Sequence, residues 1–341
     1  MICDPDDDAL SRTKDSIYPQ RYGAWDNEIV LCNPPDAASK PCDLVIIGTP
    51  PDSHIPIALD LLNNHKHLPK IILIEKPLCG PGLEGCDELQ QLSREKGVLV
   101  CVGYNHVLSR ITEIATEYIC SGCLGDPQTI VVNWVEHWGG IFGAHPWLAG
   151  PSDSYLGFSQ KGGGACAEHS HGINIWQHFA HLLNAGRIST ISSVMDREKN
   201  AQVDFDRIVQ MNVVTENGLV GYIVQDVVTQ PAIKLLRIQG SDGALEWQIN
   251  KDSSHDSVRL WRDNEWQETL VAKSRPDDFA GEIDHIEKLL QSRAENSPIS
   301  LQRGLETMMV VSAAHYSAQQ MRSLKINYNS RLTPDSFISN L

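Results

Sequence analysis

Asp43–Thr49 reads DLVIIGT, a continuous apolar run that stops at Gly-Thr and passes through Pro50-Pro51 into the helix-like stretch HIPIALDLL at 54–62. Two further runs repeat the form. Lys70–Ile74 (KIILI) ends at Glu75-Lys76-Pro77, and Val98–Gly103 (VLVCVG) follows an amphipathic Leu83–Lys96. Short apolar runs without alternation, separated by helical patterns, predict a parallel sheet covered on both faces. In such sheets ligands bind at the carboxyl ends of the strands. Those ends are Thr49-Pro50-Pro51, Glu75-Lys76-Pro77 and Tyr104-Asn105-His106, the first places to look for chemistry.

Beyond a helix near Ser109–Ser121 the texture changes. Gln128–Trp134 reads as a strand, a Gly/Pro/aromatic loop covers Trp138–Gly164, and a helix is expected from about Ala165 to Leu183. From Ile188 to about Leu270, strand patterns alternate with the turns Glu216-Asn217-Gly218, Gly240-Ser241-Asp242-Gly243 and Asp263-Asn264. Successive hairpin signals predict a largely antiparallel sheet. Two helices, Asp277–Arg293 and Leu301–Arg322, close the chain. The expected fold class is α/β: a Rossmann-like domain at residues 1–120, then an α+β domain at residues 121–341.

Composition narrows the function. The 341 residues carry 28 Lys+Arg against 43 Asp+Glu, a formal charge of −15, which argues against a nucleic-acid surface. No apolar run approaches the roughly 18 residues of a membrane span, and no secretory leader is visible, so a soluble, cytoplasmic chain is expected. The nine cysteines are scattered. Cys120-Ser-Gly-Cys123 lacks the second ligand pair that a zinc site wants, so no metal is expected and helix-end packing is the favoured reading.

Three segments, DLVIIGTPPDSH at 43–54, ILIEKPL at 72–78 and GGGACAEHSHGIN at 162–174, resemble the Gfo/Idh/MocA family of sugar oxidoreductases, as does the final helix around GLETMMVVSAAHYSA at 304–318. The resemblance implies a cofactor, NAD or NADP, and a carbohydrate substrate: a sugar, sugar nucleotide or cyclitol. It also implies a homodimer or homotetramer formed through the C-terminal sheet. The family opens with a strand, GxGxxG and a helix; here Met1-Ile2-Cys3-Asp4 looks like the second strand, with no GxGxxG upstream. The expectation is an absent first βα unit and impaired dinucleotide binding. A non-catalytic sugar-binding or regulatory relative is therefore the alternative.

Lys76 is the leading catalytic candidate. Fixed between Glu75 and Pro77 at a strand mouth, its ammonium can donate to a substrate oxygen as hydride leaves. Glu168 and His171, three apart on the expected helix, share a face, and an imidazole near neutrality suits proton transfer. His169 is a second candidate for the histidine role. On the cofactor side, Asp4 is expected on the adenosine ribose, with helix capping as its bland alternative. Thr49, Pro50 and His54 are expected to lie against the cofactor, and Glu75 to contact the nicotinamide ribose or to orient Lys76. Asn105 is placed with them, although its amide, like that of Asn174, also suits a sugar hydroxyl. Trp134, His137, Trp138, His145, Trp147 and Tyr155 cluster around the long loop, where rings can pack on a sugar or simply anchor the chain.

Overall fold

The computed structural model describes residues 1–34, 40–292 and 296–339. Two small parallel sheets are built from the first third of the chain. Strands β1 (Ile2–Cys3) and β2 (Leu31–Cys32) pair with each other, and β3 (Leu44–Ile47), β4 (Ile71–Ile74) and β5 (Leu99–Val102) form a second sheet in that order. β4 is the central strand and is buried along its whole length, as its unalternating Ile-Ile-Leu-Ile requires. Helices α1 (Pro51–Asn64) and α2 (Cys86–Lys96) are the crossovers between these strands. Pro50 and Pro51 open α1 where no backbone N–H is needed.

A ten-stranded sheet follows, built from β6 (Pro127–Val135), β7 (Ile188–Lys199), β8 (Asp204–Thr215), β9 (Val220–Asp226), β10 (Ile233–Gly240), β11 (Ala244–Ile249), β12 (His255–Arg262), β13 (Glu265–Ala272), β14 (Leu324–Ile326) and β15 (Phe337–Ser339). The order is β13-β12-β11-β10-β6-β9-β8-β7-β14-β15. Only the β6–β9 pair is parallel among the registers described. All three expected turns join antiparallel neighbours, and Asp263 and Asn264 both take the positive φ that a tight hairpin demands.

The remaining long helices are α3 (Arg110–Cys120), α4 (His171–Leu182), α5 (Arg275–Ser292) and α6 (Leu301–Gln320). One face of the large sheet packs on α4 through β6 and β9 and on α6 through β7, where Ile130, Val132, Ile191 and Ile223 are buried. α6 also touches β5, so it lies between the two main sheets. A Cβ on Gly304 would fall 2.4 Å from Val102 Cγ2, so only glycine permits this approach.

Two expected helices differ from those observed. The stretch Leu83–Lys96 becomes helical only at Cys86, because Leu83 and Gly85 have φ of 64° and 77°. The helix expected at Ala165–Leu183 is two: a short one at Gly164–Glu168 and then α4, with the break at His169 and Ser170. Glu168 and His171 therefore do not share one helix face.

Candidate functional site

The sheet mouths place Lys76 at the end of β4 and Asn105 and His106 just past β5. From the other side come Trp134 and Glu136 at the end of β6, Glu168, His169 and His171 at the broken helix, and Lys234 on β10. All of them line one cleft of about 760 Å³. The cleft continues past Tyr155 on one flank, and past Asn250, Asp252, His255, Lys273 and Asp278 on the other.

Lys76 and Glu168 meet across 92 positions of sequence. The Lys76 ammonium donates to Glu168 Oε1 at 2.7 Å and to the Glu168 carbonyl at 3.1 Å. The Tyr155 hydroxyl donates to the other carboxylate oxygen at 3.0 Å. Burial and then the Glu168 charge raise the Tyr155 pKa, so its proton stays in place as a donor. Glu168 thus fixes Lys76, and Tyr155 fixes Glu168.

His171 sits in an aromatic setting instead. Its ring stacks on Trp134 at 5.6 Å between centroids and meets Tyr104 and His106 edge-on at 5.6 and 4.5 Å. Burial, reinforced by His106, Lys76 and Lys234, holds its pKa well below the ordinary imidazole value. His106 is lowered well below for the same first reason, then by Lys273, Lys234 and Lys76. His169 is lowered too, chiefly by burial, and its Nε2 lies 3.3 Å from the Glu136 carbonyl. Three neutral imidazoles therefore face the cleft at neutral pH.

The residues expected on a cofactor fall into distinct settings. The Glu75 carboxylate stands between Gly48 and Gly103, and a Cβ on Gly103 would lie 2.9 Å from its Oε2. Burial raises its pKa against the pull of Lys76. Such a carboxylate, with bare backbone on both sides, fits the hydroxyls of a nucleotide ribose. Thr49 Oγ1 accepts from Ser53 at 2.8 Å, and Pro50 caps α1. His54 is 1% exposed, with one ring nitrogen 2.6 Å from the Thr49 carbonyl and the other 3.0 Å from the Pro77 carbonyl. Its work is to tie these two strand-end turns together. Asp4 accepts from the Asp6 amide at 2.8 Å, a turn-closing bond. Asn105 lines the cleft, and its buried Oδ1 has no hydrogen-bond partner.

Among the other candidates, Asn174 is spent on Thr307 of α6, and His137 accepts from the Gly139 amide outside the cleft. His145, Trp134 and Tyr155 do reach it. Trp138 packs on Phe142 and Phe205, a hydrophobic anchor. Cys123 donates to the Tyr118 carbonyl at the end of α3. Among the described residues no group of three or more His, Cys, Asp or Glu is placed to hold a metal.

Sequence reasoning missed Glu136, Lys234, Lys273 and Asp278. Each lies in or beside a strand or helix pattern and carries no motif. It also passed over Gly80-Pro81-Gly82-Leu83-Glu84-Gly85, which spells G-x-G-x-x-G ahead of α2. These glycines serve close packing: a Cβ on Gly80 would strike the Gln160 carbonyl at 2.3 Å, and one on Gly85 would strike Ile55 at 2.7 Å. Glu84, Asp87 and Glu88 already supply the negative charge at this helix start, which argues against a phosphate there.

A parallel sheet with charged strand mouths, facing an α+β half across a polar cleft, is an architecture in which ligands bind at the carboxyl ends of the strands. Residues 12–104 match the Gfo/Idh/MocA family model described as "Oxidoreductase family, NAD-binding Rossmann fold". The whole fold is similar to that of an aldose–aldose oxidoreductase from Caulobacter crescentus complexed with glycerol, at 16% identity and a TM-score of 0.75, covering 95% of this chain and 90% of that one. A levoglucosan dehydrogenase in complex with NADH and levoglucosan aligns at 17% identity and 0.74, covering 95% and 88%. An oxidoreductase from Agrobacterium radiobacter, in complex with NAD+, L-tartaric acid and magnesium, aligns at 18% and 0.72, covering 95% and 90%. No curated protein matches the sequence.

Proposed function

We propose that the chain is an NAD(P)-dependent oxidoreductase that interconverts a hydroxyl and a carbonyl on a sugar, sugar nucleotide or cyclitol. The observation that carries this reading is the Lys76–Glu168 pair at 2.7 Å, at the mouth of the parallel sheet and in the same cleft as the neutral His171. When bound, the nicotinamide supplies the acceptor or donor of hydride. Glu75 and Thr49, at neighbouring strand ends, are the residues that would hold its ribose side.

The division of labour follows from charge. The Lys76 ammonium, held by Glu168 and indirectly by Tyr155, donates to the reacting oxygen and stabilises negative charge as it develops there. His171, kept neutral by burial, takes the hydroxyl proton in oxidation and returns it in reduction. Trp134 holds the His171 ring flat on one side and stacks on Trp247 on the other. Tyr155, together with Glu136 and Lys234, which the sequence did not single out, completes the wall.

The test is a panel of polyols and sugars offered to the full chain with NAD or NADP, following absorbance of the reduced nicotinamide. Turnover is expected with at least one, at dinucleotide concentrations high enough to offset the impaired binding expected of the chain. Lys76→Met is then expected to lower kcat by about 10²–10⁴-fold, the usual weight of a positioned proton-handling group, while the folded chain keeps its secondary structure. Retention of most of kcat by that variant would sink the assignment of Lys76.

A further inference from the structure

The cleft's charges are matched within its own walls. Lys76 meets Glu168 at 2.7 Å, Lys234 meets Glu136 at 2.7 Å, and Lys273 meets Asp278 at 2.9 Å and Asp256 at 3.1 Å. His255 meets Asp252 at 3.0 Å. Among the described residues lining the cleft there are three lysines, four carboxylates (Glu136, Glu168, Asp252 and Asp278) and no arginine. The planar fork that commonly reads a carboxylate or phosphate is therefore missing from the described lining. The imidazoles of His106, His169 and His171 add no positive charge at neutral pH.

Two buried polar atoms on this wall lack hydrogen-bond partners: Asn105 Oδ1, an acceptor, and His106 Nδ1, which lies 4.0 Å from Asp278. A hydroxyl both donates and accepts, so it can satisfy an amide oxygen and a lysine together. An anionic oxygen only accepts. It would leave Asn105 Oδ1 unpaired and would face carboxylates with no spare cation.

From this matched wall we propose that the substrate is an uncharged polyol or sugar, and that the cleft discriminates against sugars bearing a carboxylate or phosphate. The inference rests on the oxidoreductase reading and narrows its substrate class.

Calorimetric titration of the full chain, with and without NAD, decides it. The probes are D-glucose and myo-inositol against D-glucuronate and a hexose phosphate. The neutral probes are expected to bind at least tenfold tighter than their anionic counterparts. Glu136→Gln leaves Lys234 without its carboxylate and is expected to raise affinity for D-glucuronate about tenfold, the scale of one charge-assisted hydrogen bond. Should that variant fail to fold, the wild-type comparison is sufficient by itself. Anionic probes binding as tightly as neutral ones would overturn the substrate class and leave the oxidoreductase reading standing. If no probe binds and none is turned over, the sugar-oxidoreductase reading itself fails.

Discussion

A neutral imidazole in a buried site makes folding sensitive to acid. His106, His169 and His171 all have pKa values below the ordinary imidazole value of about 6.5, first through burial and then through neighbouring lysines, although Glu168 and Glu136 pull His169 the other way. Below that ordinary value the unfolded chain takes up protons that the folded chain refuses. Stability is therefore full above about pH 6.5 and is lost as pH falls towards the folded values. Each histidine contributes at most about 1.4 kcal/mol per pH unit in that window. Urea titrations between about pH 7 and about pH 5 should show the decline, and His106→Asn should flatten it. An unchanged slope in that variant would mean His106 is charged in the folded state. At this scale Lys76 was legible because Pro77 and a strand end announce it. Glu168 was legible as a site residue but not by its partner, since the Lys76 contact spans 92 positions and sequence proximity pointed to His171 instead.

At the scale of elements, periodicity found the three parallel strands to within two residues, because β4 and β5 are buried on both sides and so read as unbroken apolar runs. Turn chemistry found the hairpins for an equally local reason: Asp263, Asn264 and Gly218 tolerate positive φ. The break at His169–Ser170 was not legible. Every residue from Ala165 to Gln177 except His171 is buried, and a stretch buried on all sides carries no face to lose when a helix restarts. Gly304 belongs to the same class of hidden constraint, since nothing local shows that β5 lies against it. Gly304→Ala should destabilise the chain by about 1–3 kcal/mol through overpacking on Val102. Adding Val102→Ala should recover part of that loss, because the double variant restores the room. If Gly304→Ala alone is neutral in thermal unfolding, α6 does not press on β5 as closely as described.

Across the whole molecule, the large sheet has one face on α4 and α6 and another facing outward. Alternation alone left the outward face ambiguous, since β8 and β9 carry apolar residues at both odd and even positions. Val194 is 73%, Val220 56% and Tyr222 40% exposed. Val220 has Thr129 and Val214 beside it, and Tyr222 has Val131 and Asn212, so an apolar centre lies on β6, β8 and β9. Towards β13 the surface turns polar: Glu246 pairs with both Arg237 and Arg259, and both guanidinium groups lie over the Trp266 ring. An apolar centre with a charged flank is the composition of an interface core and its rim. We propose that two copies of the chain meet through this face as a homodimer, or as a dimer of dimers. Light scattering should give at least twice the 37.8 kDa of one chain across micromolar concentrations. Val220→Asp combined with Tyr222→Asp should yield a folded species of single-chain mass, because both positions are already exposed in one chain and neither supports its core. A wild-type chain that stays at 37.8 kDa throughout would show that this face is stable in water and needs no second copy.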